Sequence, residues 1–117
     1  TASLGAVLET FPEHAATMTL FADAGATYAP GLQITTSTTN PCCSDHRPYL
    51  DRGVPALLSI HKNYASYPHY HKTTDTPTNL GAQTQQIAGA ILRMNVAAIA
   101  QLGGASDRIF ADGFDSP

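Results

Sequence analysis

The sequence predicts an α/β fold of about three strands and two main helices, and three observations lead to it. Signals along the 117 residues run strand, helix, strand, turn, strand, long loop, helix. The run Val54-Pro55-Ala56-Leu57-Leu58-Ser59-Ile60 is nearly continuously apolar, as expected of a strand covered on both faces. From Leu80 to Leu102, Ile87, Ile91, Met94, Ala98 and Leu102 recur at helical spacing and form one stripe.

The elements follow in order. Ala6 to Thr10 reads as a short edge strand carrying Glu9. Phe11-Pro12 comes next, and proline suits the first turn of a helix. From Glu13 to Ala29 the residues Ala16, Leu20, Ala24 and Tyr28 recur at i+4, with Thr17 and Phe21 beside them, so this stretch is predicted helical. Pro30-Gly31 stops it. Leu32 to Thr36 alternates and is rich in β-branched residues, the pattern of a half-buried strand. The polar segment Ser37 to Pro41 leads into Cys-Cys-Ser-Asp-His, and Tyr49 to Gly53 is a short helix or turn. Pro55 stands near the start of the third strand, where a missing N–H is tolerated. His61 to Asn79 has three tyrosines, three histidines, two prolines and no period, which makes it a long loop of the kind that often carries function. Thr76, Thr78 or Asn79 can cap the last helix, and Gly103-Gly104 can close it.

The length fits one domain, predicted over 1–104, with 105–117 as a tail. Only 13% of residues are charged, and Thr, Ser, Gly and Ala are abundant, so an exported protein, secreted or periplasmic, is expected. A net charge of -3 gives no electrostatic reason for nucleic acid or an anionic membrane as partner. No apolar run approaches the roughly 18–20 residues that span a bilayer. Three strands and two helices make a thin core for so apolar a third strand, which implies that the sheet continues in chain beyond these residues.

Several residues can carry chemistry. Ser44-Asp45-His46 has the composition of a catalytic triad, but triad members meet through the fold, whereas consecutive residues on an extended segment point in different directions. No Gly-x-Ser-x-Gly elbow presents a nucleophile either. A polar turn is the simpler expectation. His71, with Asp75 four residues on, suits a loop metal ligand whose second ring nitrogen is oriented by a carboxylate; a surface histidine beside a helix cap has the same spacing. Leu58, Ile60, Tyr64, Tyr67 and Tyr70 can line an apolar pocket or simply cover the sheet. The cysteines, Cys42 and Cys43, are neighbours. Adjacent Cα atoms lie about 3.8 Å apart, below the usual disulfide range of roughly 4.4–6.8 Å. A strained bridge and two free thiols in a turn both remain open.

Cys-Ser-Asp-His-Arg-Pro-Tyr, continued by Gly53-Val54-Pro55-Ala56 and later by Tyr67-Pro68-His69-Tyr70-His71 with Asp75-Thr76, resembles the co-catalytic di-zinc exopeptidases of the leucyl aminopeptidase and aminopeptidase Y type, relatives of glutaminyl cyclases. The resemblance spans roughly Glu13 to Gly103. It implies part of a three-layer sandwich around a mixed, mostly parallel sheet, with two zinc ions in the complete enzyme. It makes His71 the last zinc ligand and Ser44, Asp45 and His46 the support of the metal loop. Leu58, Ile60, Tyr64, Tyr67 and Tyr70 then form the pocket for the first side chain of a peptide substrate, selecting hydrophobic N-terminal residues. His61 departs from the acidic residue of many relatives, and Thr39-Asn40-Pro41 lacks a tyrosine that some carry there. The tail is similar to short C-terminal segments of exported bacterial proteins.

The larger departure is in the ligand count. No His-x-Asp and no Glu-Glu pair precedes the motif, and neither Glu9 nor Asp23 follows the expected ligand pattern. One imidazole cannot hold zinc, which takes three or four protein ligands. The chain therefore reads as the C-terminal portion of an aminopeptidase, inactive alone, whose N-terminal remainder supplies the other ligands. A non-catalytic binding module of this fold, or a related carboxypeptidase or glutaminyl cyclase, are the alternatives.

Overall fold

The computed structural model describes residues 4–39 and 43–104. Three strands form one mixed sheet: β1 (Leu4–Glu9), β2 (Leu32–Ser37) and β3 (Leu58–His61), in the order β2-β1-β3. β1 pairs with β2 in parallel, from Leu4↔Leu32 to Glu9↔Ser37. It pairs with β3 antiparallel, from Ala6↔His61 to Glu9↔Leu58. The expectation of an edge position for Glu9 is thus corrected. The parallel crossover sets β2 on one side, and the returning chain lays β3 on the other, so β1 is central.

The two main helices, α1 (Ala15–Tyr28) and α3 (Thr84–Leu102), lie together on one face of this sheet. Alternation along β1 turns Ala6 and Leu8 into that face, where both are fully buried, and turns Val7 and Glu9 to the other. Met18, Phe21, Ala24, Ala90, Met94 and Ala98 complete the core from the helices. So many alanines let the two helices approach the sheet and each other closely, and Met94 and Leu8 fill the space between. Full burial of a side chain of that size is worth about 1.5–3 kcal/mol.

The buried face of α1 is Met18, Phe21, Ala24 and Gly25, which keeps Phe21 and Ala24 of the expected stripe, with Leu20 partly buried beside them, but leaves out its ends. Ala16 is exposed, and Tyr28 keeps 38% of its surface. The observed rotation buries the two largest apolar side chains of the helix and sets Gly25 at the point of closest approach to α3. α1 ends where Ala29 donates to the Gly25 carbonyl (2.8 Å), just before Pro30-Gly31.

α3 starts at Thr84, four residues later than expected, because Pro77–Asn79 forms a separate 3-10 turn. Thr76, Thr78 and Asn79 therefore cap nothing in α3. Leu102 is exposed, since the last turn of the helix runs past the sheet. The third strand is shorter than its apolar run: Val54 to Leu57 is an extended lead-in, fixed where the buried Thr10 hydroxyl donates to the Ala56 carbonyl (2.6 Å). All four residues of β3 are half-buried, because the described residues place helices on one face only.

Between α1 and its partners there is no room for a larger residue at position 25. A Cβ there would fall on Ile34 Cδ1 and lie 3.0 Å from Met94 Sδ. Both are ends of flexible side chains, and alanine regains roughly 1 kcal/mol of helix propensity over glycine, so Gly25→Ala is expected to be mild. Gly25→Val adds two branches to the same contact and should lower the unfolding free energy by about 1–3 kcal/mol in urea titration. Unchanged stability of the valine variant would show that α1 and α3 do not pack this tightly.

Candidate functional site

The carboxyl end of β1 is tied to the segment that follows β2 by three separate contacts. Glu9 Oε2 lies 3.0 Å from His46 Nε2, and the imidazole is almost wholly buried. Thr10 holds Ala56, and the Arg47 guanidinium lies 5.2 Å above the Phe11 ring while pairing with Asp51 (2.8 Å). These anchor α2 (Arg47–Asp51), a short helix closed by Gly53 at φ 75. Val54 donates to the Tyr49 carbonyl and Gly53 to that of Leu50. This pairing uses the carbonyls the helix leaves free and needs a left-handed residue, which glycine supplies without strain.

Within Ser44-Asp45-His46 only His46 is buried; Ser44 and Asp45 are exposed in the turn. His46 Nδ1 is also buried and has no hydrogen-bond partner among the described residues. Its other nitrogen is occupied by Glu9, and among the described residues no hydrogen bond joins His46 to Ser44. Cys43 is disulfide-bonded and sits in the left-handed region at φ 74, while Cys42, the only other cysteine of the chain, lies outside the described residues. Glu9 carried no signal of its role in the sequence beyond being an acidic residue in an otherwise apolar strand. The partner it requires is 37 residues away and becomes visible only in the fold.

The loop after β3 is stitched to itself. The Tyr67 hydroxyl donates to Asp75 Oδ1 (2.9 Å), His69 Nδ1 lies 2.8 Å from Thr74 Oγ1, and Asn79 Nδ2 donates to the Thr74 carbonyl (2.8 Å). Tyr64 packs on Tyr70 with centroids 5.6 Å apart, and Tyr70 stacks on His71 at 4.0 Å. His71 has φ 57, a left-handed backbone that costs a non-glycine residue about 1–2 kcal/mol. Strain of this kind persists only where surrounding contacts enforce it, and it gathers at functional positions. Asp75 is engaged with Tyr67; among the described residues no hydrogen bond joins it to His71.

The pocket residues expected from the sequence separate into two groups. Ile60 and Tyr67 line a cleft of about 740 Å³ between β3 and the first half of α3, together with Ser59, His61 and Ile87. Tyr64 and Tyr70 pair with each other outside it, and Leu58 does not line it; Leu58 and Ile60 pair with Glu9 and Val7 on the same face of the sheet, so Ile60 borders the cleft from the edge strand. No hydrogen bond, ion pair or ring contact joins Ser44, Asp45 or His46 to the 64–76 loop. β3 leaves the sheet beside the amino end of β1, whereas Glu9 and His46 sit at its carboxyl end.

Among the described residues no three His, Cys, Asp or Glu side chains converge on a point that could hold a metal ion. With three or four protein ligands required, the described residues do not fit zinc by themselves.

The family model of Peptidase family M28 matches residues 5–96. No curated protein and no solved structure matches the chain significantly.

Two measurements probe the contacts of the site. Removing the partner of a buried imidazole leaves it unsatisfied, so Glu9→Ala should cost about 1–3 kcal/mol of stability in urea titration. Glu9→Gln keeps an acceptor oxygen and should recover most of that loss. Equal stability of Glu9→Ala and the parent chain would mean that the pair contributes nothing. The second concerns Tyr67, whose pKa is raised above its ordinary 10.0 by partial burial, then by the hydrogen bond to Asp75 and its charge. A raised folded pKa stabilises the protein below the unfolded value, and that stabilisation is lost as pH rises through the folded one. Asp75→Asn should move the phenolate titration, followed by ultraviolet absorbance, back toward the ordinary value. An unmoved titration would deny the bond.

Proposed function

Since the chain belongs to Peptidase family M28, whose peptidases are generally zinc-dependent, we propose that it is the C-terminal portion of a zinc-dependent aminopeptidase acting on peptides with hydrophobic N-terminal residues. The observation that carries this reading is His71. It is a histidine in a left-handed conformation, on a loop whose other polar side chains are largely satisfied by one another, inside the matched span. A ligand imidazole has to be held at a fixed angle to its metal, and a left-handed backbone with the ring stacked on Tyr70 favours such a fixed angle.

In this reading the residues of the chain bind and orient. His71 gives one imidazole nitrogen to a metal site whose remaining ligands come from the N-terminal part of the same polypeptide. His46, held by Glu9, fixes the turn that carries Ser44 and Asp45, whose partners would lie in the N-terminal part of the polypeptide, since none is found in the His71 loop among the described residues. Of the five residues the sequence offers for a substrate pocket, Ile60 and Tyr67 line the cleft and give it the apolar, aromatic character suited to a hydrophobic first side chain. The low charge fraction supports an exported location, secreted or periplasmic, and no helix among the described residues is long and apolar enough to cross a membrane. The missing donor set also favours a second reading, a binding module that keeps the fold without the hydrolysis.

Zinc analysis and hydrolysis of leucine anilide separate the two. The 117-residue chain alone should bind no zinc stably and release no product; turnover by it alone would overturn the fragment reading. In a zinc-bearing enzyme that contains these residues, His71→Ala should lower zinc content and activity by more than about 100-fold, and Ser44→Ala by about 10–100-fold, the range of a residue that only orients a ligand. A His71→Ala enzyme with normal zinc and activity would sink the assignment. A gene product that carries every residue described here, lacks zinc and still binds peptides would favour the binding module.

A further inference from the structure

The helix α3 is apolar on two opposite sides. Ala90, Met94 and Ala98 form its buried row in the core with the sheet and α1. At about 100° per residue, Leu92, Val96 and Ile99 fall together on the far side, with Leu102 next to them. All four are exposed, at 61, 57, 61 and 57% of their surface. A surface helix normally turns a polar face to water, and one that is apolar all round is covered. This stripe leaves on the order of 450 Å² of apolar surface, a size of patch that is often functional on a monomeric protein.

One charge borders the stripe. Arg93 is the only charged residue in α3, and it makes no ion pair among the described residues. Its guanidinium lies back along the helix over Gly89, where an added Cβ would stand 3.5 Å from Arg93 Nη1. The surface therefore suits an occupant that is apolar along the roughly 15 Å of helix from Leu92 to Leu102 and acidic at one side.

A continuation of the sheet would lie beside α3, next to the cleft, and not across the side opposite the buried row. A second copy would offer the same stripe, about half of the roughly 800 Å² per partner that a stable interface buries. It would also bring another arginine instead of an acid. The chain that follows α3 meets both demands. Gly104, at φ 87, sits in the left-handed region, where glycine turns the chain off the helix axis without strain. The tail, 105–117, lies outside the described residues; its large apolar residues are Ile109, Phe110 and Phe114, and its charged ones are Asp107, Asp112, Asp115 and Arg108. From Ile109 to Phe114 an extended chain covers about 16 Å, the length of the stripe. The residues between Gly104 and Ile109 reach about 13 Å, enough to bring it back over Leu102.

We propose that residues 105–117 fold back along α3 and dock on its outer stripe. Ile109 and Phe110 cover Ile99 and Leu102, Phe114 covers Leu92 and Val96, and the tail aspartates lie beside Arg93. The tail is then a strap over an apolar helix face, and its removal uncovers that face. Nothing in this proposal draws on the zinc-peptidase reading, so the two stand or fall separately.

Trypsin cleavage after Arg108, followed by mass spectrometry, tests it on the gene product that carries these residues. A docked tail must detach before it can be cut, so cleavage should be at least ~10-fold slower than in a free peptide of residues 103–117. Val96→Glu alone, and Phe110→Ser with Phe114→Ser, should each restore the peptide rate while circular dichroism keeps the folded signal. Arg93→Gln should raise the rate ~2–5-fold, as one exposed ion pair would, and added salt should do the same to the parent. Deletion of 105–117 should increase the fluorescence of an apolar dye several-fold, and Val96→Glu should remove that increase. Cleavage of the parent at the peptide rate overturns the proposal. So does slow cleavage that Val96→Glu leaves unchanged, which puts the tail elsewhere. Protection lost on dilution, together with a dimer in light scattering, makes the occupant the tail of a second copy and overturns it as well.

Discussion

A carboxylate on the central strand of a largely apolar sheet must find a partner, because burying an ionisable group without one costs more than a small core can offset. Glu9 finds His46 at 3.0 Å, and much of the arrangement at the carboxyl end of the sheet depends on that contact. His46 is the residue that opens α2, so the bond fixes where the short helix lies. With α2 fixed, Arg47 covers Phe11, Thr10 reaches Ala56, and the lead-in to β3 is delivered to the free side of β1. The antiparallel pairing of β3 then follows from geometry, since a chain entering beside Glu9 can only run back toward Ala6.

The two faces of β1 divide the labour. One face bears Ala6 and Leu8 and gives the fold its stability through Met18, Phe21 and Met94. The other bears Glu9 and holds the turn that the family match makes interesting. A strand whose successive residues serve packing and positioning by turns keeps the two roles independent, since a change on one face need not repack the other. The cost is that the second face depends on polar contacts. Each of those is worth about 0.5–1.5 kcal/mol, against larger sums for the core.

What could be read from the sequence was what short-range patterns record. The three strands, the two helices and the proline and glycine stops are local, and each appears within a few residues of its expected place. The errors share one cause, which is that partners distant in sequence decide them. The rotation of α1 was set by the need to bury Met18 with Phe21 and Ala24 beside Gly25, which turned the ends of the expected row, Ala16 and Tyr28, outward. The late start of α3 reflects a separate turn at Pro77–Asn79, and the central place of β1 depends on where β3 returns. The sequence singled out His71 by its motif alone; its left-handed backbone and its stack on Tyr70 were not visible there, since nothing in a residue's identity announces a positive φ. Glu9 was legible only as an anomaly.

The loop bearing His71 and the turn bearing His46 start from opposite ends of β1, and among the described residues no hydrogen bond, ion pair or ring contact joins them. Four residues of β3 span roughly 13 Å at about 3.3 Å per residue, and the loop that follows is long enough to return across that distance. Nothing in the described residues obliges it to do so: its hydrogen bonds close on themselves, and its rings stack on one another. A loop that satisfies its own polar groups can keep its shape, with His71 strained, before any metal ligand from elsewhere arrives. Under the proposed function, preorganisation of the His71 imidazole is therefore separable from assembly of the site. That separation is how a chain with a single ligand candidate can be well folded and still lack a metal site among its described residues.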